Sequence, residues 1–178
     1  MAGEVKMLPP NIRVDWIPVT EGDPGIEDVN APTAEELNAG ENITCAITSP
    51  DYTLGWTERD TDDTKSLCDD SNVANPVYKN YEGNLTFFRD RDSTNALSAY
   101  NIAYELFKTP LQQGYLVERV GKPHDEPYVD GDEVSVFLFL SGDPRTLHED
   151  GVPIRMQVPF YAQGRSSEGI VTVGGAVS

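Results

Sequence analysis

The side chains able to do chemistry in this chain are few and scattered. His148 stands beside Glu149 and Asp150 in Leu-His-Glu-Asp-Gly, a grouping that could relay a proton or bind a metal, and His124 lies in Lys-Pro-His-Asp-Glu-Pro. General-base chemistry needs a reacting group within hydrogen-bond reach, and neither histidine has a nucleophile nearby in sequence. Both read as solvated turns. Asp60-Thr-Asp62-Asp63 looks like half of a calcium loop. Counted from Asp60, however, the sixth position is Lys65 and the twelfth is Ser71, where such a loop needs Gly and Glu. Asn42-Ile-Thr44 and Asn84-Leu-Thr86 match the glycosylation sequon, but both fall in expected strands and read as coincidence. Cys45 and Cys68 read as two reduced thiols, with a disulfide as the alternative; zinc lacks a Cys-x-x-Cys pair. A pair of glycosidase carboxylates has nothing to single it out among 30 acids. Nucleophile-elbow, phosphate-loop, zinc-protease and dinucleotide signatures are all missing. The expectation is a protein with no catalytic residue, no cofactor and no metal.

Charge narrows the partners. Thirteen Lys and Arg against 30 Asp and Glu leave a net −17 over 178 residues. Such a surface repels a polyanion, so neither a nucleic-acid grip nor an anionic membrane fits. Disorder does not follow, because 38% of residues are hydrophobic, including two Trp, eight Tyr and six Phe. The longest apolar run, Val136–Leu140, is too short to span a bilayer, and the first ten residues carry no pattern of a secretory leader.

The elements that would position these groups are mostly strands. Residues 1–41 are rich in Pro, Gly and acid and read as an extended arm, interrupted by a short helix over 33–40 with Thr33 and Glu36 as a capping box. Residues 42–173 form the domain proper and 174–178 a tail. Asn42–Thr48 is β-branched and alternating and predicts a strand. Residues 49–76 are a long polar loop containing Leu54-Gly-Trp56. Gly83–Arg89 predicts a strand. A helix then starts at Asp92 or Ser93 and buries Leu97, Tyr100, Ile102, Ala103, Leu106 and Phe107. Gly114–Val120, Glu133–Leu140, Ile154–Phe160 and Gly169–Val173 complete the strands, with Glu133–Leu140 apolar enough to be buried on both faces. Without βαβ alternation, this predicts a mainly β fold: an antiparallel sandwich or barrel with one flanking helix.

The order of certain segments is more specific. Leu8-Pro-Pro-Asn-Ile-Arg-Val-Asp-Trp16 is followed by Ala31–Gly40, Gly83-Asn-Leu-Thr-Phe-Phe-Arg-Asp90, Gly114-Tyr-Leu-Val-Glu-Arg-Val-Gly-Lys-Pro123, Gly131-Asp-Glu-Val-Ser-Val-Phe137 and Val158-Pro-Phe160. From about residue 8 to 173, the chain resembles the tail tube (major tail) protein of long-tailed, non-contractile bacteriophages, of the type infecting actinobacteria. The resemblance implies a structural virion protein, made in the host cytoplasm, whose hexameric rings stack into a tube that conducts the genome. It implies as partners other copies of itself, a tape measure protein, a tail terminator, distal tail or baseplate proteins, and DNA in transit without specific binding. On that reading the arm and the 49–76 loop reach an adjacent ring, with Trp16, Leu54 and Trp56 as apolar anchors, and both order only on assembly. The acidic surplus then lines the channel. The alternatives are a tube or terminator ring of a related injection system, and a monomeric extracellular β-sandwich module binding calcium through its acidic loop.

Overall fold

The computed structural model describes residues 11–68, 70–72 and 74–174. In chain order the strands are β1 (Ile12–Pro18), β2 (Glu41–Asn42), β3 (Thr53–Trp56), β4 (Thr61–Asp62), β5 (Asn75–Pro76), β6 (Tyr81–Phe88), β7 (Gln113–Val120), β8 (Glu133–Ser141), β9 (Arg145–Leu147) and β10 (Arg155–Val171). Two α-helices interrupt them, α1 (Ala34–Asn38) and α2 (Ala99–Phe107). All pairings between strands are antiparallel. The main sheet runs β2-β1-β7-β8-β10-β6-β3, with β9 on β10, while β4 and β5 form a separate pair. The protein is thus mainly β and antiparallel with a flanking helix, as the sequence predicts.

Strand alternation sends side chains to two apolar layers. Leu116 from β7, Phe137 and Phe139 from β8, and Met156, Val158 and Phe160 from β10 meet Leu85 and Phe87 from β6 in one layer. Tyr115, Val117, Val134, Val136 and Leu138 point the other way, into a second layer closed by Ile26, Leu37 and Tyr128. β8 therefore is buried on both faces. The residues between β2 and β3 join the two ends of the sheet: Ile43 N–H donates to the Val14 carbonyl at 3.0 Å, and Thr48 N–H to that of Thr86 at 2.7 Å. Helix α2 inserts Ala103 and Phe107 into the first layer, where the Phe107 ring stacks on Phe87 at 5.2 Å.

Five segments differ from the sequence reading. Residues 49–76, expected as a loop, hold β3, which pairs with β6, and the β4–β5 pair. The arm expected over 1–41 contains β1, which pairs with β7 over seven residues and lies inside the sheet. Residues beyond it carry Ile26 and Leu37 into the second layer, so from Ile12 onward this stretch is part of the body; residues 1–10 lie outside the described set. Arg13 and Asp15, charged residues within β1, are buried because they pair: Arg13 Nε lies 2.8 Å from Asp15 Oδ2, and the Tyr128 hydroxyl donates to the same oxygen at 2.7 Å. The strand expected over 42–48 is instead the last residue of β2, Asn42, and a 3₁₀ turn at Thr44–Ala46. The Asn42 carboxamide accepts from Thr44 N–H at 3.1 Å, the local competition that diverts a backbone from a ladder.

Helix α2 has Ser98 as its N-cap, six residues later than Asp92. The Asp92 carboxylate accepts from Thr94 N–H at 3.0 Å and the Asn95 carbonyl from the Asn101 amide at 3.0 Å, which holds 92–98 in turns. Leu97 consequently lies outside the helix and is 92% exposed, while Asn101 is buried in its place. Of the strand expected over 154–160, Met156, Val158 and Phe160 are buried and Ile154 is exposed; the strand runs on to Val171 and absorbs Gly169–Val171. The capping box of α1 is present as expected, with Glu36 N–H on Thr33 Oγ1 at 3.2 Å and Thr33 N–H on Glu36 Oε2 at 2.8 Å.

Candidate assembly surface

Of the groups first singled out for chemistry, the fold brings two together, His124 and Cys45. His148 is exposed on the β9–β10 loop, and its neighbour Glu149 pairs with Arg155 at 2.8 Å. His124 packs against Cys45, with Sγ 3.7 Å from each ring nitrogen. Cys45 and Cys68 are free and exposed. Asp62 accepts from Thr64 N–H and Oγ1 at 2.9 and 2.6 Å; these bonds, led by the hydroxyl, hold its carboxyl below the usual range. Among the described residues, no three His, Cys, Asp or Glu side chains converge as a metal site would require. Of the sequons, Asn42 gives its amide to the His124 carbonyl at 2.8 Å, and Thr86 is fully buried.

The three expected contact residues occupy different places. Trp16 is 2% exposed, packed edge-on against Phe107 at 5.1 Å and tilted against Phe160 at 5.9 Å. Its indole joins α2 to the sheet and offers no surface to a second subunit in this fold. Leu54 and Trp56 are half-buried on β3, the strand that ends the sheet. Trp56 meets Tyr81 and Phe137 edge-on at 5.9 and 6.1 Å, and its other face carries the Lys79 ammonium 4.9 Å from the ring.

Unpaired backbone is the more telling feature. Beyond Phe160, β10 has a ladder partner on one side only, β8. Along this stretch the Tyr81 hydroxyl takes up Gln163 N–H at 2.9 Å and donates to the Arg165 carbonyl at 3.3 Å, and Gly169 N–H donates to Ser135 Oγ at 3.3 Å. Two register shifts interrupt the β8 ladder, between Ala162 and Ser166 and between Ser167 and Ile170, with Gly164 and Gly169 at φ +83° and +65°. Bulges of this kind twist an open edge away from indiscriminate pairing. Tyr161 and Val171, at the ends of the edge, are exposed. Leu111, also exposed, adopts φ +62°, a left-handed conformation that a leucine takes only under constraint. None of these could be read from the sequence, because an edge is defined by the strand that fails to arrive.

A mainly β subunit that leaves part of β10 unpaired on one side offers a place where another strand can add. The family model for the phage tail tube protein matches residues 7–175. The chain belongs to that family. It is a structural component of the phage tail, in a family that builds tubes and works with other tail proteins. None of the curated proteins compared with this tail tube protein matches it. Among its described residues, no helix is long and apolar enough to cross a membrane.

One ionisable site in the tail tube protein answers to pH. Burial raises the pKa of Glu118, Tyr52 opposes the rise by donating its hydroxyl at 2.6 Å, and Glu168 adds to it by repulsion. A raised carboxyl binds its proton more tightly in the folded chain. Its contribution is therefore full below the unfolded value of 4.5 and is lost as pH rises through the raised value. Glu118→Gln cannot ionise and loses nothing over that interval. The stability difference, wild type minus E118Q, is expected to fall with rising pH from 4.5 and then level off, as read from denaturant midpoints. A difference constant across the interval would refute the assignment.

Proposed function

We propose that this tail tube protein closes into hexameric rings that stack into a hollow tube, through which the genome passes into the host. The single observation that carries the reading is the bulged, one-sided edge of β10, Tyr161–Val171, in a sheet that ends in the short strands β2 and β3. Pairing between neighbours would satisfy the open donors and acceptors, and closure of a ring removes edges altogether. Exposed Leu111 and Tyr161, with half-buried Leu54 and Trp56, supply apolar surface for contacts within and between rings. The tube ends would meet a terminator and distal tail or baseplate proteins, and the lumen a tape measure protein before DNA.

The acidic surplus belongs to the same reading. Glu82, Glu133 and Glu168 project, exposed, from strands of the main sheet and are the acids best placed to line a channel. At physiological salt the screening length is about 8 Å, so wall charges act on DNA only where passage is close. A narrow tube enforces that closeness, and like charge keeps phosphates from settling.

Negative-stain electron microscopy of the purified chain tests the proposal. Hollow tubes or six-fold rings in end view are expected as concentration rises. Persistent monomers that gain stability with added calcium would instead favour a binding module.

A further inference from the structure

Basic residues are scarce here, and several are held in ion pairs. Arg13 pairs with Asp15, Lys108 with Glu105, Arg119 and Lys122 with Asp132, and Arg155 with Asp51 and Glu149. Arg59 and Lys79 are exposed and, like Lys65, Arg89, Arg91, Arg145 and Arg165, have no carboxylate within ion-pair distance among the described residues; what sets these two apart is that they share one hollow. Together with Trp56 and Thr57 they line one surface hollow of about 220 Å³. Glu58 and Asp60 flank Arg59 in sequence, but Asp60 is taken up by the Asn80 amide at 3.0 Å. An adjoining hollow shares Trp56 and Lys79 and is bordered by Glu168.

We propose that this hollow receives a carboxylate side chain of a second copy of the chain, making Arg59, Lys79 and Trp56 an electrostatic docking point between subunits. The inference rests on the assembly reading above and adds to it which surface binds and what chemistry the occupant has. Charge complementarity selects the occupant. With a net −17, almost any surface a second copy presents is acidic, whereas this site is cationic and bounded by an aromatic ring. Bringing two such subunits together is opposed by repulsion, so a local attraction sets orientation and encounter rate. Trp and Arg are also the residue types that anchor protein interfaces most strongly. Nucleic acid is the weaker occupant, because two cations release few counterions.

The test uses the full chain and two double variants, R59Q/K79Q and R59E/K79E. Both residues are exposed, and circular dichroism melts should match wild type. Assembly is followed by light scattering and sedimentation velocity at low and high salt. At about 50 mM salt, R59E/K79E is expected to raise the concentration needed for assembly about tenfold, with R59Q/K79Q intermediate. At about 500 mM salt, screening should shrink both effects to within about threefold. Equal assembly of wild type and variants at both salts would overturn the docking point and leave the assembly reading standing. Failure of wild type to assemble at any salt would overturn both. Retention of a DNA probe by wild type that R59E/K79E abolishes, with assembly unchanged, would reassign the hollow to phosphate and overturn the proposal.

Discussion

Replacing Arg119 by alanine is expected to lower the unfolding free energy by about 3–5 kcal/mol and to release residues 121–132 from the body of the protein. Arg119 is 1% exposed. Its Nη1 donates to the Pro127 carbonyl and to Asp132 Oδ2, each at 3.0 Å, and its Nη2 to the carbonyls of Pro123 and Glu126 at 2.9 Å. One guanidinium thus organises the whole β7–β8 connection. Removing it leaves the Pro123 and Pro127 carbonyls without this donor, while Glu126 keeps Arg13 Nη1 at 2.7 Å, and leaves the buried Asp132 carboxylate with Lys122 and the Val129 N–H. Lysine should recover less than half of the loss, because a point charge cannot fork to several acceptors. Guanidinium unfolding measures the energy, and hydrogen exchange of 121–132 measures the release. A loss below about 1 kcal/mol would show the network to be dispensable.

The second large effect is expected at Trp16. Trp16→Ala should cost about 3–5 kcal/mol in the isolated subunit, since it empties the junction between α2, β1 and β10. Packing there is close enough that a methyl group on Gly114 would sit 2.5 Å from the indole and 2.7 Å from the Ile17 carbonyl. Trp16→Phe should cost less, because it keeps the aromatic contact with Phe107 and Phe160 while losing volume. An exposed contact residue would behave otherwise: its removal would change subunit stability by no more than about 0.5 kcal/mol and would act on assembly. Chemical denaturation of dilute, unassembled W16A therefore separates a core role from an inter-ring one.

How far the sequence could be read depended on whether the relevant partner was local. The capping box of α1 uses two side chains three residues apart, and the structure reproduces it. β8 was legible because its apolar run exceeds what one buried face requires. Helix α2 was placed correctly at its end, where Phe107 is buried, and too early at its start. Asp92 and Asn95 are acceptable helix starters by type, but here they bind nearby main-chain groups instead. Tryptophan gives no sign by itself of whether it fills a core or an interface. Trp16 and Trp56 were read alike, and only their neighbours distinguish them. The Arg59–Lys79 hollow had no sequence signal, since its two cations are twenty residues apart and surrounded by acids.

From the sequence alone came the balance of charge, the predominance of strands, the lack of catalytic motifs and the ordered segments that resemble tail tube proteins. These depend on composition and on periods of a few residues, which survive without knowledge of the fold. The tertiary structure decided that β1 belongs inside the sheet, that Arg13, Asp15 and Arg119 are buried, and that β10 keeps an open edge. Each of these depends on a partner far away in the chain. Burial of a charge becomes tolerable only when its counter-ion arrives, and an edge exists only where no strand does. Of the groups first sought for chemistry, the fold brings Cys45 to His124, while among the described residues no three His, Cys, Asp or Glu converge at His148, His124 or Asp60–Asp63.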